Sequence, residues 1–272
     1  MSEKLIKIGI IQEDTRNINE EILSKTLEDI RLLETCTPVV YDSSNQAMLD
    51  LQSGAIDVLI FSSITEKVTA ELEAAAKGQK ALHWLLKDSF RIALATDKKV
   101  AGILTIETLT EKIKAVQSSL IHDFMVTLPR IAVLSLNPET DETIIVPAIK
   151  AASEAGIFCF GAYTADTFFT GGEYRTFDAI IALNLEQIHS VFQAITLDEG
   201  VRYLAGLPWI ATAPDQDQNG ATEEALHNAT YLAIDLYFNR KLDKKIFANP
   251  LRKLYFERGS DNEKLDLTKE EA

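Results

Sequence analysis

The chain has no run of about 20 consecutive apolar residues, the length that a membrane-spanning helix needs. It has only two cysteines, Cys36 and Cys159, far apart in sequence. Such a pair makes neither a disulfide scaffold nor a zinc cluster, and it reads as two small buried hydrophobes. Basic residues are in deficit. Against 41 Asp and Glu stand 27 Lys and Arg, a formal net charge of −14. No basic stripe offsets this, so the surface is expected to repel nucleic acid and anionic lipid. No Gly-x-Gly-x-x-Gly joins a strand to a helix, no P-loop occurs, and no serine stands in a Gly-x-Ser-x-Gly elbow. Gly171-Gly172 has no strand directly before it and reads as a turn. Gly9 is followed by Gln12-Glu-Asp-Thr-Arg-Asn17, whose carboxylates would repel a phosphate.

Histidine is scarce as well. The four are His83, His122, His189 and His227. A metal site needs two or three imidazoles or carboxylates to converge. Each of these stands alone in sequence, and a lone histidine is more often packed or solvated than ligating. His83 reads as part of an apolar helical run beside Trp84. His189 falls in the first turns of a helix, near a predicted cleft.

What is present is an alternation of strand and helix signals over 272 residues. Strands are expected at 5–11, 38–41, 57–61, 90–96 and 157–160. Ile22, Leu23, Thr26, Leu27, Ile30 and Leu33 share one helical face, and so do Ile106, Leu109, Ile113, Val116 and Leu120. Further helices are expected at 141–155, 186–196 and 221–238. Pro147 should start the first of these late or kink it, and Gly156 should cap it. From residue 258 the chain is charged and poor in apolar residues, a composition that favours disorder. The predicted fold class is α/β, a mostly parallel sheet with helices on both faces and ligands beyond the carboxyl ends of its strands.

Three further apolar runs, 130–137, 177–183 and 206–212, end in Asn137-Pro-Glu-Thr140, Asn184-Leu-Glu-Gln187 and Pro214-Asp-Gln-Asp217. None of these ends carries histidine or cysteine. Glu186 and Asp215 could approach each other to do acid–base work or hold a divalent ion. Acids at strand ends are also ordinary helix caps.

Longer strings carry a family resemblance. They are Leu136-Asn-Pro138, Val146-Pro-Ala-Ile-Lys150, Phe160-Gly-Ala-Tyr-Thr-Ala-Asp-Thr-Phe-Phe169, Phe177-Asp-Ala-Ile-Ile-Ala182, Asp198-Glu-Gly-Val201, Ala205-Gly-Leu-Pro208 and Ala248-Asn-Pro-Leu-Arg-Lys-Leu-Tyr-Phe256. With Ile8-Gly-Ile-Ile-Gln12 and the segment 33–41, the chain resembles the 4-hydroxythreonine-4-phosphate dehydrogenase family of pyridoxal phosphate biosynthesis, nearly end to end. The resemblance implies two α/β/α lobes like those of isocitrate and isopropylmalate dehydrogenases, with a cleft between them, usually in a homodimer. On that analogy residues 1–85 plus 210–272 form one lobe and 86–209 the other. It also implies NAD-linked oxidation of a phosphorylated hydroxy-amino acid, with a divalent metal on three histidines.

Position by position, that chemistry is missing. The segment that should carry the first histidine reads Ala95-Thr-Asp-Lys-Lys-Val100. The second ligand position falls at Leu185 and the third at Gln216. A family lysine falls at Gln193, an asparagine at Arg202 and an arginine at Ala211. The loop after Asn137-Pro138 is short, and no Pro-Gly-His-Thr-Glu segment occurs near Lys77-Gly-Gln-Lys80. Leucine has no lone pair to give a metal. Without the metal the hydroxyl is not acidified and the developing charge is not stabilised. Asn137, Asn184, Leu185, Glu186, Gln193, Arg202, Asp215 and Gln216 therefore mark a vestigial cleft with no catalytic residue and no metal ligand. Arg202 could serve as a new anion-binding group or as a surface salt bridge. The expectation is a catalytically inactive, cytoplasmic family member with a binding or regulatory role. It would use neither NAD nor metal, and it would pair with itself or with an active relative. Two alternatives stay open: the family's NAD-dependent dehydrogenase activity, and altered chemistry in the same cleft.

Overall fold

A computed structural model of the chain describes residues 5–11, 20–32, 36–96, 104–183, 185–215 and 221–248. Its strands are β1 (Ile6–Ile11), β2 (Cys36–Tyr41), β3 (Val58–Ile60), β4 (Leu82–Lys87), β5 (Phe90–Leu94), β6 (Arg130–Leu134), β7 (Phe158–Tyr163), β8 (Ala179–Ala182), β9 (Val201–Ala205) and β10 (Ile210–Pro214). Its helices are α1 (Glu20–Leu32), α2 (Ser44–Ser53), α3 (Glu66–Ala75), α4 (Ile106–His122), the single turn α5 (Pro138–Thr140), α6 (Val146–Glu154), α7 (Ala165–Thr170), α8 (His189–Thr196) and α9 (Glu223–Ala248).

The strands form one sheet in the order β2-β1-β3-β10-β9-β4-β5-β8-β6-β7. The pairings are mostly parallel, as expected. The exceptions are β10 with β9, β9 with β4 and β4 with β5. These three reversals mean that β5 to β9 run one way, while β1 to β4 and β10 run the other. The lobe boundaries inferred from the family resemblance fall inside this shared sheet, within β4 and at the start of β10.

The period-2 alternation of the strands builds a core on each face. On one face Ile6, Ile8, Ile10, Trp84, Ile131, Val133, Ile181 and Tyr203 form a continuous core with residues of α1, α4, α6 and α9. On the other face there are two clusters. Leu59, Leu204 and Ala211 pack with Ala47, Met48 and Leu72 of α2 and α3. Leu85, Ile92, Ala132 and Ile180 pack with Phe168 and Phe192 of α7 and α8. Among the described residues no helix is long and apolar enough to cross a membrane.

Local departures from the expected elements have local causes. His83 and Trp84 lie in β4, not in a helix, because residues 82–87 are clamped between β5 and β9. A short apolar run does not distinguish the two by periodicity. The run at 206–212 starts pairing only at Ile210. Gly206, at φ +78°, makes the turn that lets β9 and β10 form a hairpin. Pro147 cannot donate a backbone hydrogen bond, and a π-helical turn at Asp141–Ile145 widens the backbone just ahead of α6. Gly156 follows α6 with φ +81°, as a helix end requires. α8 begins at His189, later than expected, and α9 runs on to Ala248. Residues from 258 onward lie outside the described residues.

A buried polar cluster joins three of these elements. Asp123, just past α4, accepts hydrogen bonds from Arg240 Nε at 2.7 Å, Ser119 Oγ at 2.9 Å and the Tyr203 hydroxyl at 2.9 Å. Arg240 also donates to Tyr203 at 2.7 Å and to the carbonyls of Leu207 and Trp209 at 3.1 and 3.3 Å. Burial pushes the Tyr203 hydroxyl well above its ordinary pKa. Burial works against the Arg240 charge, but Tyr203 and Asp123 outweigh it and hold that pKa up. Removing one member takes a buried partner from each of the others. We expect Asp123→Ala to cost about 3–5 kcal/mol in urea denaturation, because it leaves the Arg240 guanidinium buried and unpaired. A loss below about 1 kcal/mol would show that the cluster is not a structural tie.

Candidate functional site

Strand direction decides which predicted site residues can meet. The carboxyl ends of β5, β8 and β6 share one sheet edge, where Ala95 N donates to Ala182 O at 2.8 Å. Gln187 ties two of these ends together. Its Oε1 accepts from Leu183 N at 3.1 Å, and its Nε2 donates to Ser135 O at 2.5 Å. Asp141 reaches back from the π-helical turn and accepts from Ser135 Oγ at 2.5 Å and Leu136 N at 3.1 Å. Asn137 caps α5, accepting from Thr140 N at 2.9 Å. Leu185 is half-buried and packs on the aromatic cluster that contains Phe168 and Phe192. Glu186 is exposed, while His189 and Gln193 are half-buried on α8. The roles of Gln187 and Asp141 were missed in the sequence. The only signal was their position four to seven residues past a strand.

The carboxyl end of β10 lies at the opposite edge. Four strand spacings of about 4.8 Å, roughly 19 Å in all, separate β10 from β8, before the strand lengths are counted. Glu186 and Asp215 therefore cannot share an ion within one chain, and that expectation is corrected. Asn184 and Gln216 themselves lie outside the described residues, as do residues 97–100 of the shortened segment.

Asp215 is not a helix cap. It is buried and accepts from Arg202 Nε at 2.6 Å, so Arg202 is committed to an internal ion pair and is neither a surface bridge nor a free anion binder. The β9–β10 hairpin sets this pair, with Ala213 opposite Arg202 and Asp215 N bonded to Gly200 O at 2.8 Å. Gly200 is required there, because a Cβ would run into the Phe192 ring and lie 3.3 Å from Asp215 Cβ. α9 is capped instead by Thr222, which accepts from Ala225 N at 3.0 Å. Ala211 is fully buried in the core, where an arginine would have no room.

The donor set does not fit a three-histidine metal. Among the described residues no three His, Cys, Asp or Glu side chains are grouped to hold an ion. All four histidines are described, and they are scattered. His83 is on β4. His122 Nδ1 lies 3.0 Å from Asp243 at the end of α4. His189 opens α8. His227 lies on α9 against the Tyr231 ring.

Residues 14–233 match the family model described as pyridoxal phosphate biosynthetic protein PdxA. The chain belongs to the PdxA family. A 4-hydroxythreonine-4-phosphate dehydrogenase of Bacteroides thetaiotaomicron is 31% identical over an alignment of 358 residues that covers 98% of each chain. That alignment is longer than the 272 residues here, so this PdxA relative carries segments that the present chain lacks. A solved 4-hydroxythreonine-4-phosphate dehydrogenase from Klebsiella pneumoniae superposes with a TM-score of 0.66 at 16% identity, covering 85% of this chain and 99% of that one. A β-decarboxylating dehydrogenase from Thermococcus kodakarensis superposes with a TM-score of 0.53 at 12% identity, covering 90% and 89%. At such identities the two structures show the PdxA fold and its dehydrogenase-like architecture.

The Arg202–Asp215 pair gives a direct test of the site as built. Arg202→Ala leaves a buried carboxylate unpaired and should cost about 3 kcal/mol, read by urea denaturation. A neutral substitution would mean that the pair is open to solvent and that Arg202 is free to serve another role.

Proposed function

We propose that this PdxA-family member does not carry out metal-dependent, NAD-linked oxidation and acts instead as a binding or regulatory protein. The observation that carries the reading is Leu185. At the family's ligand position the chain places an aliphatic side chain, packed into an aromatic cluster at the end of β8. The dispersed histidines support it, since no local rearrangement gathers residues on β4, α4, α8 and α9 around one ion. The family's lysine and arginine positions hold Gln193 and Ala211, which removes two cations from the face of a phosphorylated amino acid, and the arginine gained at 202 is paired with Asp215. This reading includes no NAD and no bound metal, and it places the protein in the cytoplasm on composition.

A homodimer belongs to the same reading. The edge bearing Leu185 and the edge bearing Asp215 face opposite ways in one chain. Only a second chain can set one edge against the other, and a two-fold pair would do so twice. A related PdxA protein with its histidines could take the partner's place, giving an inactive chain influence over an active one.

The test is an NADH-formation assay on the purified chain with NAD, the phosphorylated hydroxythreonine and Mn2+, Zn2+ or Mg2+ in turn. Formation at the no-enzyme background is expected. Metal-dependent NADH production that saturates with substrate would overturn the proposal. Light scattering on the same sample should give twice the 30.2 kDa of one chain.

A further inference from the structure

A cavity of about 260 Å3 lies between α9 and the turn joining β4 to β5, on the sheet edge away from Leu185. Leu86, Phe124, Val201 and Leu236 give it an apolar floor. Scaled from the roughly 150 Å3 that holds one benzene, it takes on the order of ten non-hydrogen atoms.

Arg91, at the start of β5, lines its wall. The guanidinium carbon sits 5.0 Å from the centroid of the Phe124 ring, which holds the group in place. Nη1 reaches only the Asp178 carbonyl, at 3.5 Å, and Nε is buried without a hydrogen-bond partner. Arg202 and Arg240 hold aspartates at 2.6 and 2.7 Å, but Arg91 forms no salt bridge among the described residues. Burial depresses its pKa, with the Asp178 carboxylate offsetting part of the effect. A half-buried cation with no carboxylate in direct contact is costly, and an entering anion would lower that cost.

The mouth has the opposite charge. Asp88 and Asp235, both on exposed positions, line it. Lys87, held by Glu199 at 2.6 Å, also lies 4.0 Å from Asp88 and offsets that carboxylate only in part, which leaves Asp235 as the acid without a cation beside it among the described residues. Two rim carboxylates disfavour phosphate or a dicarboxylate. A neutral apolar molecule would leave Arg91 unpaired. A ligand bearing one carboxylate and one ammonium on a small apolar body satisfies both ends.

We propose that this cavity binds a free apolar α-amino acid, its carboxylate on Arg91, its ammonium toward Asp235 and its side chain on the Leu86–Val201–Leu236 floor. The site lies at the opposite sheet edge from Leu185 and does not depend on whether the family's reaction is retained.

Calorimetric titration of the full chain with L-leucine and L-phenylalanine tests this. Each is compared with its deaminated acid, isocaproate or phenylpropanoate, and with its decarboxylated amine, isoamylamine or phenylethylamine. At least one amino acid should bind saturably, about tenfold or more tighter than either truncated analogue. Arg91→Gln should weaken binding by about tenfold or more, and Asp235→Asn, on an exposed position of α9, by about threefold. No binding of either amino acid, equal binding of the deaminated acid, or unchanged affinity in both variants would overturn the proposal. If Arg91→Gln does not fold, Asp235→Asn and the analogue series decide the matter alone.

Discussion

The buried contact among Asp123, Tyr203 and Arg240 is the interaction on which the arrangement of this molecule rests. It joins the end of α4, the middle of β9 and the last third of α9, three parts of the chain that are distant in sequence. Two charges taken out of water cost several kcal/mol each unless every polar atom finds a partner. Here the partners are present. Both Asp123 oxygens accept, and all three Arg240 nitrogens donate, two of the bonds going from Nη1 to carbonyls in the β9–β10 turn. The geometry admits one position of α9 over the hairpin. That position also sets the wall of the cavity beside Arg91.

Beside this tie the strand direction reverses in mid-sheet. β9 and β4 are held antiparallel to their neighbours, so the carboxyl ends of β8 and β10 face opposite edges. The family-related positions divide accordingly. Leu185, Glu186, Gln193 and Asn137 belong to the edge that Gln187 and Asp141 stitch together. Arg202, Asp215 and Ala211 belong to the hairpin, where an ion pair and the core absorb them. Among the described positions, Asn137 caps a helical turn, Leu185 and Ala211 pack in the core clusters, and Arg202 and Asp215 form an internal ion pair.

Much of the fold could be read from the chain because its signals are local. The apolar runs that became β6 and β8, the stripe of α4 and the glycine after α6 each depend on residues within a turn or two. The family strings around Asn137-Pro138 and Gly200-Val201 persist for reasons the structure supplies, a helix cap and a glycine with no space for a Cβ. What could not be read depends on contacts distant in sequence. β4 is a strand only because β5 and β9 flank it, and its own residues fit a helix equally well. Asp215 is an acid at a strand end in the sequence. Only the hairpin register makes it the partner of Arg202, 13 residues earlier. Strand direction, which separates Glu186 from Asp215, is a property of topology and leaves no mark on either residue.

The central claim is that the family's ligand edge now offers carbon where electron-pair donors should stand. Equilibrium dialysis of the purified chain against Mn2+ and Zn2+ tests it most directly. The account predicts only weak, non-stoichiometric uptake, unchanged by Glu186→Gln or His189→Ala. A tight site holding one ion per chain, abolished by either substitution, would contradict it.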